Sequence, residues 1–156
     1  MMDKVEIEGL KELQLKLLEL PKRIARNAVR SAVSAGAAVI RSEIKMRAPV
    51  YTGKVSDGHP PPGTLKRAVV SKYIREMSND FEAVFKVTIR KGKRFTKQGK
   101  KENLSQDAYY AMWVELGTSK MTARPFFRPG YEAKKQEALD AMIQKLKDRL
   151  EQEAKS

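Results

Sequence analysis

The stretch SAVSAGAAVI, residues 31–40, decides the fold, because it is the uncharged middle of a segment, 22–47, that predicts one long helix. A helix that is small and apolar all round is normally buried or packed against close neighbours. Pro21 stands just ahead of the first turn, a position that favours proline. Pro49 ends the helix, since the residue before a proline is pushed out of the helical region. The segment therefore predicts a long central helix.

Amphipathic helices are predicted on both sides of this segment. Over residues 8–20, leucines recur at spacings of three and four, with Lys and Glu between them. From about 131 to 154, the same spacing gives an apolar face on a helix whose other faces are charged. That face consists of Ala138, Leu139, Met142, Ile143, Leu146 and Leu150.

Between the central and the last helix, the pattern changes to loops and strands. Residues 49–66 are rich in Pro and Gly and predict a loop. Residues 81–90 alternate as a half-buried strand does, and turn residues at 78–80 join them to a partner strand at 68–74. The pair predicts an antiparallel hairpin over 67–90. Residues 107–116, DAYYAMWVEL, are too few for periodicity to decide between a helix and a third strand.

The length of 156 residues predicts one domain, 1–156, since a chain of roughly 150 residues fills a single core. We expect an α+β fold in which the long central helix and the C-terminal amphipathic helix pack on a small antiparallel β-sheet. Its predicted parts are N-terminal helices at 8–47, a Pro/Gly loop at 49–66, the hairpin at 67–90, a basic flexible loop at 91–106, an aromatic block at 107–130 and the last helix at 131–154.

The composition offers little for catalysis or metal binding. There is no Cys and only one His, His59, in a proline-rich loop with no orienting partner or nucleophile in view. Gly53-Lys54 fails the phosphate-loop pattern, because Ala48 stands where a glycine is required and Val55 follows the lysine. The sequence therefore predicts no enzyme, cofactor or metal site. No signal peptide or membrane span is visible, which predicts a soluble protein made in a reducing cytoplasm.

The net charge of +13 is concentrated in two segments. Residues 22–47 carry seven basic residues and one acid, and residues 90–101 carry seven basic residues and no acid. The second set is Arg90, Lys91, Lys93, Arg94, Lys97, Lys100 and Lys101. Such segments are either solvated surface or a surface for DNA phosphates or an acidic partner. One aromatic residue, Phe95, is too few for base recognition, and the Tyr109, Tyr110 and Trp113 cluster is expected in a core or an interface.

The C-terminal third carries a recognisable motif. The run YAMWVELGTSKM at 110–121, followed by ARPFFRP at 123–129, resembles the signature of small neck and tail-completion proteins of siphophages and prophages, also described as head–tail joining or minor tail components. The matching residues are Tyr110, Glu115, Gly117, Thr118, Arg124, Pro125, Phe126 and Pro129. Leu116 replaces the family's usual aromatic residue, and Gly130 stands where Ala is usual.

A weaker match lies upstream, at Pro49, Thr52 and Gly53. In the family this loop runs almost directly into the first strand, so residues 54–63 read as an insertion. The order of elements also agrees, and the resemblance covers about 8 to 150.

The resemblance implies a virion assembly protein of the neck or tail, non-catalytic, working as a ring that is typically hexameric. Its implied partners are the tail tube, the terminator or the head connector, with nonspecific contact to packaged DNA through the basic loop. It implies assembly in the host cytoplasm and a final place in the virion. Tail completion, tail termination and head closure remain open, and a nucleic-acid-binding module using 90–101 is the alternative.

The resemblance also implies structural roles for the motif residues. Gly117 is expected to take a backbone conformation that other residues resist. Glu115 is expected to accept hydrogen bonds from Arg124 or from nearby backbone donors. Pro125 and Pro129 are expected to fix the chain before the last helix, with Phe126 and Phe127 in the core beneath it.

Overall fold

The computed structural model describes residues 9–52, 62–90 and 108–156. In chain order its elements are α1 Leu10–Glu19, α2 Lys22–Arg47, α3 Thr64–Ala68, β1 Val69–Tyr73, a 3-10 turn at Arg75–Met77, β2 Phe85–Ile89, α4 Ala111–Leu116 and α5 Phe127–Ala154. The predicted α+β fold is confirmed, with a long central helix, a C-terminal helix and a small antiparallel sheet. Within the described ranges, no helix combines the length and the apolar character that crossing a bilayer requires.

The α2–α5 pair forms the body of the molecule. The two helices run antiparallel, since Arg149 near the end of α5 reaches Ser31 while Gly130 in its first turn meets Ile44 near the end of α2. They approach closely at Gly36, where an added Cβ would overlap the Met142 side chain and lie 2.9 Å from the Ala138 carbonyl oxygen. The small residues in the middle of α2 therefore allow the two helix backbones to come close together, as the sequence predicted.

Two apolar clusters lie at opposite ends of this pair. One joins α1 to the N-terminal half of α2 and the C-terminal half of α5, through Leu13, Leu17, Ala25, Ala28 and Leu150. The other joins the C-terminal end of α2 to α3, β1, α4 and the residue before α5, through Ile44, Ala48, Leu65, Ala68, Val69, Ala108, Ala111 and Phe126. The second cluster holds the largest fully buried side chains, so the motif block folds against the better closed end.

The sheet has two strands, with Val69 paired to Ile89 and Tyr73 to Phe85. One face lies against α2, because the Arg30 guanidinium stacks over the Tyr73 ring and Arg41 donates to the Ser71 hydroxyl. The hairpin predicted over 67–90 is thus present, but the strands are shorter than expected. Ala68 belongs to α3, and β2 begins at Phe85 rather than at residue 81.

The shortening of β2 has a local cause in the turn. The Ser78 hydroxyl donates to the Ile74 carbonyl and accepts from the Val84 N–H, and the Asn79 side chain accepts from the Phe81 N–H. Polar side chains of this kind compete with the ladder for backbone groups. The residues before Phe85 therefore form a turn in spite of their alternating pattern.

Two further boundaries differ from the sequence prediction. The loop expected over 49–66 ends earlier, because α3 begins at Thr64 after Gly63, whose φ of 80° suits glycine. The last helix begins at Phe127, four residues before the expected start at 131. Pro129 thus lies in the first helical turn, where proline is tolerated because the N–H groups have no intrahelical partner.

For residues 107–116 the sequence left a helix and a third strand open. The structure has a helix there, α4, over Ala111–Leu116. Ala48 leaves the helical region ahead of Pro49, with φ −59° and ψ 122°, as predicted. Most of the predicted insertion at 54–63, including His59, and the whole basic loop at 91–106 lie outside the described residues.

We predict that Gly36→Val lowers the free energy of unfolding by about 1–3 kcal/mol, as overpacking of a close contact does. The loss is expected although replacing a mid-helix glycine by itself favours the helix. Denaturant unfolding measures it. Ser34→Val, on the exposed side of the same turn, is the control and should change stability by less than about 0.5 kcal/mol. Equal effects of the two substitutions would show that the helices do not meet at Gly36.

Candidate functional site

The motif residues meet at the α4–α5 junction, residues 108–130. Phe126 is the anchor of this region, with 1% of its side chain exposed. Phe126 thus fills the core as predicted, whereas Phe127, also predicted there, packs only partly buried against the same cluster, as Tyr110 does. Burial raises the pKa of the Tyr110 hydroxyl, against a smaller opposing effect from a backbone hydrogen bond at Leu65.

Glu115 fastens α4 to the start of α5. Its carboxylate accepts three backbone hydrogen bonds, from the N–H groups of Phe126 at 2.7 Å, Phe127 at 2.9 Å and Arg128 at 3.1 Å. The first N–H groups of a helix have no partner within the helix, and a negative charge is favoured at that end. Glu115 therefore caps α5 from a different helix.

The sequence predicted that Glu115 accepts hydrogen bonds either from Arg124 or from nearby backbone groups. The donors are backbone groups, and Arg124 is not among them. Arg124 contributes through its own backbone, since its N–H donates to the Val114 carbonyl at 2.8 Å. This bond places the chain beside the end of α4 just before it turns into α5.

The protonation of Glu115 reflects this environment. Burial alone would raise the pKa of the carboxyl group, but the three backbone donors and the nearby Arg128 charge outweigh it and hold the pKa below its ordinary value. The group is therefore ionised at neutral pH with its oxygens engaged. A carboxylate held in this way is suited to fixing a backbone rather than to proton transfer.

Gly117 ends α4 and starts a tight turn. Its φ of 76° is in the region that favours glycine, and an added Cβ would lie 2.8 Å from the Ala123 nitrogen, so the predicted conformation is confirmed. Thr118 and Met121 then pair through two backbone hydrogen bonds, and the Thr118 hydroxyl accepts from the Lys120 N–H. The turn and the residues up to Pro125 are exposed, apart from the half-buried Gly117.

The remaining predicted residues lie around this junction or outside the described ranges. Pro49 follows Ala48, which belongs to the same buried cluster as Phe126, and Thr52 is exposed beyond it. Gly53 is not among the described residues. Of the basic set only Arg90 is described, exposed at the end of β2 with its N–H bonded to the Ala68 carbonyl. The other six, Lys91, Lys93, Arg94, Lys97, Lys100 and Lys101, lie outside the described residues.

An apolar surface, here called the α4 patch, adjoins the motif and consists of Tyr109, Met112, Trp113 and Leu116. The exposed fractions of Met112 and Leu116 are 66% and 70%, and the rings of Tyr109 and Trp113 meet edge to face. A cavity of about 380 Å³ lies beside it, between β2, α4 and the start of α5. Exposed apolar patches of this kind mark interaction sites.

Sequence reasoning expected the aromatic cluster in a core or an interface. It did not single out Met112, and it noted Leu116 only as a departure from the motif. The available signal was that α4 is apolar nearly all round although it is only six residues long. Because such a short helix lies on the surface, some of its apolar side chains have to be exposed to solvent. Separately, within the three described ranges no group of three or more His, Asp or Glu side chains is arranged to hold a metal ion.

The fold and the junction define a small α+β protein whose motif residues hold backbone in place and leave an apolar surface beside it. A sequence model of one family, "Bacteriophage HK97-gp10, putative tail-component", matches residues 11–117, more than half of the chain. The chain therefore belongs to this HK97-gp10-like family, and the resemblance to a phage neck and tail family is confirmed. The match includes Glu115 and Gly117 and ends before Thr118. No curated protein and no solved structure matches the chain.

We predict that Glu115→Gln lowers the free energy of unfolding at neutral pH by about 0.5–2 kcal/mol, the usual effect of losing a helix cap. Because the native pKa lies below its ordinary value, the ionised group stabilises the fold fully above about pH 4.5. That contribution is lost as the pH falls through the native pKa. The difference between the two proteins should therefore shrink on acidification, as measured by denaturant unfolding across pH.

The matched control is Glu76→Gln, which neutralises an exposed carboxylate in the 3-10 turn. It should change the free energy of unfolding by less than about 0.5 kcal/mol. A Glu115→Gln effect that does not vary with pH would contradict a role for the ionised carboxylate.

Proposed function

We propose that this protein completes the phage tail and joins it to the DNA-filled head, as a non-catalytic homo-oligomeric ring. The observation that carries the proposal is the α4 patch, an exposed apolar surface beside the motif of a tail-component family. Apolar area of this kind is stabilised when a partner covers it. A closed ring needs heterologous contacts, in which two different surfaces of one chain meet.

The non-catalytic part of the proposal is supported by the family and by Glu115. The carboxylate that the motif supplies is ionised and accepts three backbone hydrogen bonds, so its role is to hold the start of α5. The partners in this proposal are the neighbouring tail and neck proteins, met in the host cytoplasm during assembly and retained in the virion.

The DNA-facing part of the proposal rests on the basic segment 90–101. Seven cations without an acid attract phosphates without reading sequence, which suits the wall of a conduit for packaged DNA. The alternative function, a nucleic-acid-binding module acting alone, uses the same residues. The two differ in whether the free monomer binds duplex tightly, which a gel-shift titration measures.

The test is removal of this chain from the phage that encodes it. DNA-filled heads and finished tails should accumulate unjoined in electron micrographs, and the purified protein added to the lysate should restore infectious particles. Finished tails that join heads in its absence would contradict the joining role. Submicromolar duplex binding by the monomer, lost when Arg90, Lys91, Lys93 and Arg94 are neutralised, would favour the alternative.

The α4 patch is tested in the same assay with Leu116→Lys. A charge at this exposed position should block particle formation and ring assembly, measured by native mass spectrometry, while the melting temperature stays unchanged. The matched control is Met77→Lys, since Met77 is 66% exposed at the hairpin turn and Leu116 is 70% exposed. Normal activity of Leu116→Lys would show that the patch is not the assembly contact.

A further inference from the structure

A cleft lined by arginines lies on another part of the molecule, between the N-terminal half of α2 and the turn of the hairpin. Its volume is about 800 Å³. Four arginines line it, together with Tyr73 and Asn27: Arg23, Arg26, Arg30 and Arg75. The motif residues named above do not include them, and none of them belongs to the α4 patch.

The convergence of the four cations follows from two elements. Arg23, Arg26 and Arg30 are spaced by three and four residues, so they share one face of α2. Arg75 arrives from the 3-10 turn after β1, which the hairpin brings against that face. Only the pairing of helix and hairpin makes a single positive site of them.

Two of the four guanidinium groups are already held. Arg26 donates from Nε to the Asp80 carboxylate at 2.9 Å and forms an ion pair with it, and the Arg30 group lies 4.4 Å from the centre of the Tyr73 ring. Among the described residues, the side chains of Arg23 and Arg75 have no hydrogen bond or ion pair. With one acid against four cations, the cleft retains three uncompensated positive charges.

We propose that this cleft binds an acidic peptide segment of a partner protein. The planar fork of arginine matches a carboxylate with two parallel hydrogen bonds. One of the four arginines, Arg26, already holds a carboxylate, since its Nε and Nη2 groups donate to Asp80. Neutralising the repulsion between clustered guanidinium groups adds to the attraction. The neutral donor of Asn27 serves the backbone carbonyls of an extended chain.

The concave shape favours a peptide over a duplex. A cleft of about 800 Å³ is in the range of sites that enclose a ligand. A double helix presents its phosphates on a convex surface, so it reaches the rim of the cleft rather than its interior. Duplex DNA is therefore the competing occupant that the experiment has to separate.

The experiment measures binding of a fluorescent oligoglutamate peptide to the full chain by anisotropy, with oligoglutamine and a short duplex as comparison probes. The double variant Arg23→Gln/Arg75→Gln should weaken peptide binding by about tenfold or more, because charge-assisted hydrogen bonds are lost. Asp80→Asn should strengthen it, since Arg26 is released. Oligoglutamine should not bind.

The control is Lys120→Gln/Lys145→Gln, which removes the same charge from exposed positions outside the cleft. Equal loss in both double variants would overturn the proposal, because net charge alone would then explain binding. So would a duplex that binds more tightly than the peptide and loses its affinity on the cleft substitutions. Melting curves of each variant confirm that it is folded. Peptide binding is measured independently of ring formation. A negative result would therefore overturn the proposed peptide site without contradicting the proposed assembly role.

Discussion

The close contact between α2 and α5 at Gly36 is the constraint on which the rest of the structure depends. It exists because the middle of α2 is built from small residues, so the backbone of α5 comes near enough for an added Cβ to collide with it. With the two axes fixed, each end of the pair closes over its own apolar cluster. The sheet then has only to cover part of one helix, and two short strands are sufficient.

The same logic explains the glycine at position 130. An added Cβ there would lie 2.8 Å from Ile44 Cγ1, so glycine lets the first turn of α5 approach the end of α2. Glu115 then holds that turn from the outside through charge-assisted hydrogen bonds. Close packing on one side and a polar cap on the other fix the start of α5.

The last helix could be predicted because 3.6-residue periodicity over many turns is a strong signal. The central helix could be predicted from its small, uncharged middle and its flanking prolines, and the expected bounds of about 22 to 47 agree with α2. The ends of the strands could not, since the Ser78 and Asn79 side chains bind backbone groups that the alternating pattern assigned to a ladder. The short α3 has too few residues to show a period. At the site, the motif pointed to Glu115, but the choice between Arg124 and backbone donors required the fold. The arginine cleft could not be predicted from the sequence, because Arg75 reaches the three arginines of α2 only through the fold of the hairpin.

The turn from Gly117 to Pro125 is closed at its base by the Glu115 cap and by the bond between the Arg124 N–H and the Val114 carbonyl. Nothing in the two apolar clusters uses the residues at its tip. Lengthening a closed loop is inexpensive, with a doubling adding only about 0.6 kcal/mol. The tip can therefore change in length and sequence without disturbing the helices, whereas a change at Glu115 beneath it removes the cap of α5.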